Sequence, residues 1–215
     1  MFTLTGDILR KICPALHPTR ASRIAELLTE ICPQYGINSA DILHEFLANL
    51  CEECIEFARY EENLTYLKPE RLMKVWPKRF KTRDATIPYL NNAKALAMYV
   101  YGKRQDLGNI TREDGFTFRG SGPMQLTGKA TITRFGNWML KRFGIKKTPE
   151  IWAELLRTSD KYGIHSACWF FAIDKQLIDE AIDDKMEVIV RKISGGLTNY
   201  SERLRYYELC KKYIV

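Results

Sequence analysis

The sequence predicts a single, mainly helical domain over residues 1–215, and three observations support the prediction. Apolar residues recur three and four positions apart along most of the chain, which is the period of an amphipathic helix. Capping residues begin these periodic segments, and glycines or prolines end them. Only the hexapeptide GFTFRG, residues 115–120, is typical of a short strand or turn. Because 46% of the 215 residues are hydrophobic, a core of useful size can form without disulfides or a metal.

Each helix is predicted from its own start and stop signals. Asn38 or Ser39 caps the second helix, and Pro69 lies in the first turn of the third. Gly102 and Gly144 end the fourth and the fifth. The helices are predicted over residues 19–33, 38–57, 68–77, 87–102, 127–144, 148–158, 161–175, 177–196 and 201–215.

The segment 102–126 interrupts this helical pattern. It is punctuated by glycines and has little helical periodicity. Loops of this length inside a compact domain are usually functional. We therefore expect this segment to contribute to the functional site.

Charge and cysteine content limit the classes of function. A net charge of +7 favours anionic partners such as nucleic acid, a membrane surface or a cell-wall polymer. Cys51 and Cys54 form a lone C-x-x-C with no second pair, so a zinc site is not predicted. The six cysteines are instead predicted to be buried free thiols of a protein in a reducing compartment. The amino terminus lacks the pattern of a Sec signal, and no stretch approaches 18 apolar residues.

Three familiar motifs are absent. The stretch GSGPMQLTGKA differs from a Walker loop because five residues separate Gly122 from Gly128 and Ala130 follows the lysine. His44 begins no H-E-x-x-H motif, since Ala48 occupies the place of the second histidine. No G-x-S-x-G occurs either. Nucleotide binding, zinc proteolysis and serine hydrolysis are therefore not predicted.

The stretch LCEECIEFARYEENL, residues 50–64, contains five glutamates. On one unbroken helix, Glu53 and Glu62 would point in opposite directions about 13 Å apart along the axis. The helical period stops after Phe57, however, so the chain can turn back before Glu62. An inverting glycosidase needs two carboxyl groups about 6.5–9.5 Å apart. Spacing alone nevertheless favours a solvated helix face.

Six blocks of the chain follow one another between about residues 40 and 210. They are ANLCEECIEFARYEENLTY, ERLMKVWPKRF, AMYVYGKR, GFTFRGSGPMQLTGK, SACWFF and ISGGLTNYSERLRYY. The most specific part is F-R-G-x-G-x-x-Q-L-T-G. Together these blocks resemble the family 19 glycoside hydrolases, which include plant-type chitinases and phage endolysins. Chain size is most similar to the endolysin branch. The resemblance implies a lysozyme-like, two-lobed helical domain with a cleft, its smaller lobe built around residues 102–126.

The resemblance also implies roles for individual residues. Glu53 matches the general acid, and Glu62 matches the general base of an inverting mechanism. Such an acid must keep its proton near neutral pH while the base stays ionised. Thr127 would help to hold the attacking water. The other expected cleft residues are Tyr66, Arg119, Gln125, Ser194 and Arg203. The acids at positions 45, 56 and 61 are interpreted as solvated.

This chain departs from the family pattern at three places. Glu52 replaces the usual histidine before the acid, which adds a negative charge beside Glu53. If both side chains face the cleft, the like charge would raise the pKa of Glu53, which suits an acid. If they diverge around the helix, as adjacent residues do, the effect is small. Thr131 and Ile132 replace an Asn-Tyr pair, and Ser194 replaces the asparagine of I-N-G-G. Two sugar-binding asparagines are therefore lost.

The resemblance and the charge predict an endolysin-type glycosidase that hydrolyses β-1,4 bonds of bacterial peptidoglycan. No metal or organic cofactor is implied, because acid-base glycoside hydrolysis needs none. We expect a monomer without stable membrane insertion, held in the host cytoplasm until its release to the cell wall.

The alternatives are a chitinase acting on poly-N-acetylglucosamine and a catalytically weak glycan-binding protein. Nucleic acid is not an expected partner, since no recognition motif accompanies the charge. The basic stretch PKRFKTR, residues 77–83, is a candidate contact for an anionic polymer, with a solvated loop as the default interpretation.

Overall fold

The computed structural model of the protein describes residues 2–215 and is mainly helical, as predicted. Three short 3₁₀ helices, Cys32–Tyr35, Asp84–Tyr89 and Gln105–Leu107, and a π-helix, Phe170–Asp174, join the longer elements. Within the described residues the α-helices are α1 Gly6–Ile12, α2 Pro18–Ile31, α3 Ala40–Glu53, α4 Pro69–Val75, α5 Ala93–Val100, α6 Asp114–Thr117, α7 Lys129–Phe143, α8 Pro149–Thr158, α9 Asp160–Trp169, α10 Ile178–Ile182, α11 Met186–Ser194 and α12 Tyr200–Tyr213.

The chain forms two compact units. The first comprises the segment up to Tyr60, the short piece Gly122–Gln125 and the segment Leu155–Val215. The second comprises Glu61–Ser121 and Leu126–Glu154. The candidate residues fall in both units.

Helix α3 is the centre of the first unit. Ser39 caps it by accepting a hydrogen bond from the N–H of Ile42, and Asp41 complements the positive end of the helix dipole. Residues 42–51 are all buried, on every face of the helix. A helix that is buried all round must be surrounded by other elements, and α12 and α10 pack against it. This packing holds the end of α3 in a fixed position.

Helix α3 ends at Glu53 through an unusual backbone turn. Ile55, Glu56 and Phe57 have φ angles of 51°, 52° and 66°, in the left-handed region that side chains other than glycine rarely adopt. Burial of Phe57 and a hydrogen bond from the N–H of Arg59 to the C=O of Cys54 (2.9 Å) hold the turn. The prediction that the chain leaves the helix before Glu62 is confirmed, although the helix ends four residues earlier than Phe57.

The second unit is built around a separate apolar cluster. Its buried members are Leu64, Leu72, Phe80, Leu96, Ala97 and Val100. Pro69 opens α4, where its missing N–H would have no helical partner. Short antiparallel bridges pair Ser121 with Glu61 and with Leu126. Residues 115–120 are predicted to form a short strand or turn, and the structure has the turn, because residues 115–117 belong to the one-turn helix α6.

Two further predictions have outcomes in the fold. The predicted helix 177–196 is interrupted between α10 and α11, where Asp184 has a φ of 55°. All six cysteines are buried free thiols, as predicted. Within residues 2–215, no helix combines the length and the apolar character needed to cross a bilayer.

Candidate active site

Glu53 is the last residue of α3, and a buried arginine fixes its carboxylate. Arg203, on α12, is 1% exposed, and its Nη2 donates to Oε1 of Glu53 at 2.5 Å. Its Nη1 donates to Oδ1 of Asn49 (2.8 Å), and its Nε donates to the C=O of Thr198 (3.2 Å). The side chain of Glu53 is 22% exposed, so one side of the carboxylate remains open to solvent. Arg203 therefore orients Glu53 without covering it.

Glu52 contacts the same guanidinium group. Its Oε2 lies 2.8 Å from Nη2 of Arg203, and its Oε1 accepts a hydrogen bond from Nδ2 of Asn199 at 2.5 Å. Of the two alternatives for this pair, divergence is not observed, because the helix ends there and both side chains contact Nη2 of Arg203. The two carboxylates therefore share one cation. Sequence reasoning missed Asn199, although it lies in the block ISGGLTNYSERLRYY that carries the family resemblance.

Glu62 belongs to the second unit, where two donors hold its carboxylate. The hydroxyl of Tyr101 donates to Oε1 at 2.7 Å, and the N–H of Gly120 donates to Oε2 at 3.0 Å. The N–H of Glu62 in turn donates to the C=O of Gly120 (3.0 Å). Burial, reinforced by the negative charge of Glu62, raises the pKa of Tyr101, so the phenol stays protonated and donates. Tyr101 and Gly120 lie in blocks that carry the family resemblance, but spacing does not reveal their contact with Glu62.

Arg119 is held by a neighbouring glutamate in the same unit. Its Nε and Nη2 lie 2.8 and 2.6 Å from Oε1 of Glu61, and its guanidinium carbon lies 4.0 Å from the ring centroid of Phe116. Arg119 is largely buried, whereas the side chain of Glu61 is half exposed. Glu61 is therefore an ion-pair partner that positions Arg119, rather than a purely solvated acid.

Tyr66, Gln125 and Thr127 were also predicted as site residues. Tyr66 is half-buried, and burial and the charge of Glu62 raise its pKa, which places the phenol in the electrostatic environment of Glu62. Gln125 belongs to the first unit, has a φ of 50° and donates from Nε2 to the C=O of Gly122 (3.0 Å). Thr127 is half-buried in the second unit.

Comparison with known proteins supplies the family. A protein of Haemophilus influenzae described as a glycosyl hydrolase family 19 domain-containing protein is 30% identical to this chain over 161 residues. The match spans 75% of this chain and 74% of the relative. The chain belongs to glycosyl hydrolase family 19. No family model matches it. Family 19 membership makes the protein a glycosidase, and a polysaccharide is the corresponding class of substrate.

Residues that depart from the family 19 pattern have structural roles here. Ile132 is fully buried in α7. Ser194, at the end of α11, donates to the C=O of Val190, and its Oγ lies 2.9 Å from the carbonyl oxygen of Gly196. Its hydroxyl is thus engaged by its own helix end.

Two of the acids interpreted as solvated are not. Glu45 is 1% exposed, and neither carboxylate oxygen accepts a hydrogen bond from the residues described. Burial, followed by the negative charge of Asp184, raises the pKa of Glu45 to about 8. Glu56 is half-buried and accepts hydrogen bonds from the hydroxyl of Tyr206 (2.9 Å) and the N–H of Ala15 (3.1 Å). Both interpretations are wrong because the elements around α3 cover these positions.

Proposed function

We propose that this family 19 glycosidase hydrolyses β-1,4 glycosidic bonds of bacterial peptidoglycan, with Glu53 as general acid and Glu62 as general base. The observation that carries the proposal is that dedicated partners hold both carboxylates. Glu53 has the buried cation of Arg203, and Glu62 has the phenol of Tyr101 and a backbone N–H. Reacting groups must be held in place by supporting residues of this kind if they are to act on a substrate.

In the proposed mechanism, Glu53 donates its proton to the glycosidic oxygen as the bond to the leaving sugar breaks. Glu62 takes a proton from a water molecule, whose oxygen attacks the anomeric carbon from the opposite face. The hydroxyl of Thr127 orients that water. Because Tyr101 and Gly120 both donate to Glu62, they orient its carboxylate as an acceptor. The new reducing end has inverted configuration.

Peptidoglycan is the proposed substrate because its stem peptides carry carboxylates, which complement the net charge of +7. Release of the enzyme to the wall at lysis, as an endolysin, is part of the same proposal. Chitin is the alternative substrate. It is neutral, so the charge of this chain gives no reason to prefer it.

The test is product analysis of purified peptidoglycan digested by the wild type and by Glu53→Gln, with new reducing ends identified by mass spectrometry. We expect the wild type to release them and the variant to lose at least about a hundredfold in rate. NMR of the first-formed anomer reports inversion or retention. Release from chitin oligomers without release from walls would replace peptidoglycan with chitin, and no release from either would refute the enzymatic proposal.

A further inference from the structure

The positive charge of the chain is concentrated in one short segment. Residues 68–83, called the basic segment below, contain seven lysines and arginines and one acid, Glu70, a net charge of +6. The whole chain carries +7, so the remaining residues together contribute only +1. The basic residues of the segment are Lys68, Arg71, Lys74, Lys78, Arg79, Lys81 and Arg83.

The basic segment is a folded surface and not a loose tail. Leu72 and Phe80 are buried in the core of the second unit, and all seven basic side chains are exposed. The N–H of Phe80 bonds to the C=O of Trp76 at 3.0 Å, which continues the turn after α4. An ion pair of 2.9 Å between Arg83 and Glu70 joins the two ends of the segment.

Most of this charge has no partner within the protein. Among residues 2–215, Lys74, Lys78 and Lys81 form no ion pair, and Arg79 lies over the ring of Tyr99 at 5.8 Å. Protein surfaces usually intersperse the two signs, because like charges held together repel one another. A surface of one sign attracts an anionic polymer and binds it in a salt-dependent way.

The basic segment lies beside the candidate base along the same unit. Tyr66 precedes it by two residues, and the ring of Trp76, within the segment, meets the ring of Tyr66 edge to face with centroids 5.4 Å apart. Tyr101, whose hydroxyl donates to Glu62 at 2.7 Å, packs against the same apolar cluster as Tyr66 and Trp76. A polymer that places one sugar at Glu62 therefore has the basic segment within reach.

We propose that the basic segment binds the carboxylates of peptidoglycan stem peptides while the glycan strand occupies the site at Glu62. The inference rests on the proposed function and gives it a determinant of substrate class. The basic segment would favour an anionic wall polymer over neutral chitin, and it does so through a surface that does not include Glu53 or Glu62.

The experiment reverses three charges of the segment with Lys74→Glu, Lys78→Glu and Lys81→Glu. A matched control reverses Lys141, Lys146 and Lys147. Like the first set, these are exposed lysines of the second unit, one in the last turn of a helix and two in the loop that follows. Both triple variants change the net charge equally.

Hydrolysis of intact sacculi is measured at low and at high salt, and on sacculi whose carboxylates have been converted to amides. We expect the segment variant to raise KM on intact sacculi about tenfold at low ionic strength. The difference from wild type should disappear in high salt and on amidated sacculi, with the control variant close to wild type throughout. Equal losses in the two variants, or a loss that persists on amidated sacculi, would overturn the proposal.

Cosedimentation of each protein with intact sacculi separates this inference from the proposed function. If the wild type releases no reducing ends, the proposed function fails, and sedimentation still reports whether the segment binds the wall. Vesicles containing phosphatidylglycerol and a DNA duplex serve as competing anions. A segment variant that keeps its wall binding but loses binding to vesicles or DNA would assign the surface to that other partner.

Discussion

Replacement of Glu45 by glutamine should stabilise the protein at neutral and alkaline pH. The carboxyl group is buried in α3 and faces Asp184, Tyr207 and Lys211. Glutamine has nearly the same size, cannot ionise, and presents an amide that can donate to Asp184. The variant therefore keeps the packing around position 45 and removes the ionisable group.

The magnitude follows from the pKa of Glu45, which is about 8 in the folded protein against an ordinary value of 4.5. Because the folded state binds this proton more tightly than the unfolded state, the carboxyl group of Glu45 stabilises the folded protein. This stabilisation is fully present below pH 4.5 and is lost as the pH rises towards 8. Linkage gives a loss of roughly 3 kcal/mol by pH 7 and at most ~5 kcal/mol above pH 8. Relaxation and water entry reduce such values, so we expect a gain of about 1–3 kcal/mol for the variant at pH 8–9.

Urea denaturation of the wild type and Glu45→Gln at pH 5, 7 and 9 measures this difference. The gain should grow with pH and be smallest at pH 5. Glu26→Gln, at an exposed position of α2, is the control, and we expect it to change stability by less than about 0.5 kcal/mol at each pH. A gain that does not depend on pH, or a variant less stable than wild type at pH 9, would refute the reasoning.

Three further outcomes are expected. Tyr101→Phe removes one hydrogen-bond donor to Glu62 and should lower kcat by about tenfold to a hundredfold. The reason is that a hydrogen bond to a charged group contributes roughly 1.5–3 kcal/mol. A wild-type kcat with a normal pH profile would contradict this role of Tyr101. Arg203→Met leaves the carboxylates of Glu52 and Glu53 without their cation and should lower the free energy of unfolding, measured in urea, by about 3–5 kcal/mol. Adding Glu52→Gln removes one of the two negative charges and should restore part of this stability. The six thiols should react with a thiol reagent only in denaturant, because all are buried, and rapid labelling of the native protein would argue against the packing described.

The sequence predicts elements well where the stop signal is a side chain with a clear preference. Helix α7 ends at Gly144, whose φ of 70° costs glycine little. The end of α3 was misplaced because Ile55 and Phe57 continue the apolar pattern while adopting left-handed backbone. Likewise, Asp184 breaks the predicted helix 177–196 without a glycine or proline to mark it. In both places tertiary packing determines the backbone.

At the candidate site, the sequence identified residues whose side chains belong to a motif. It missed the donors to Glu62, because the hydroxyl of Tyr101 and the N–H of Gly120 are brought there by the fold from 39 and 58 residues away. It misjudged Glu45 because burial of an acid on every side depends on neighbouring helices, which periodicity does not record. Local pattern therefore indicates candidate residues, whereas the groups that hold them are found only in the fold.

The link between α3 and Arg203 has a consequence for synthesis of the chain. Glu53 leaves the ribosome 150 residues before the arginine that orients it. Until α12 follows, α3 also lacks the helix that covers much of its apolar surface. The nascent protein therefore passes through a period in which its centre is exposed and prone to aggregation. Arg203 can orient Glu53 only after α12 has been made, so a chain that stops before α12 leaves this carboxylate without its cation.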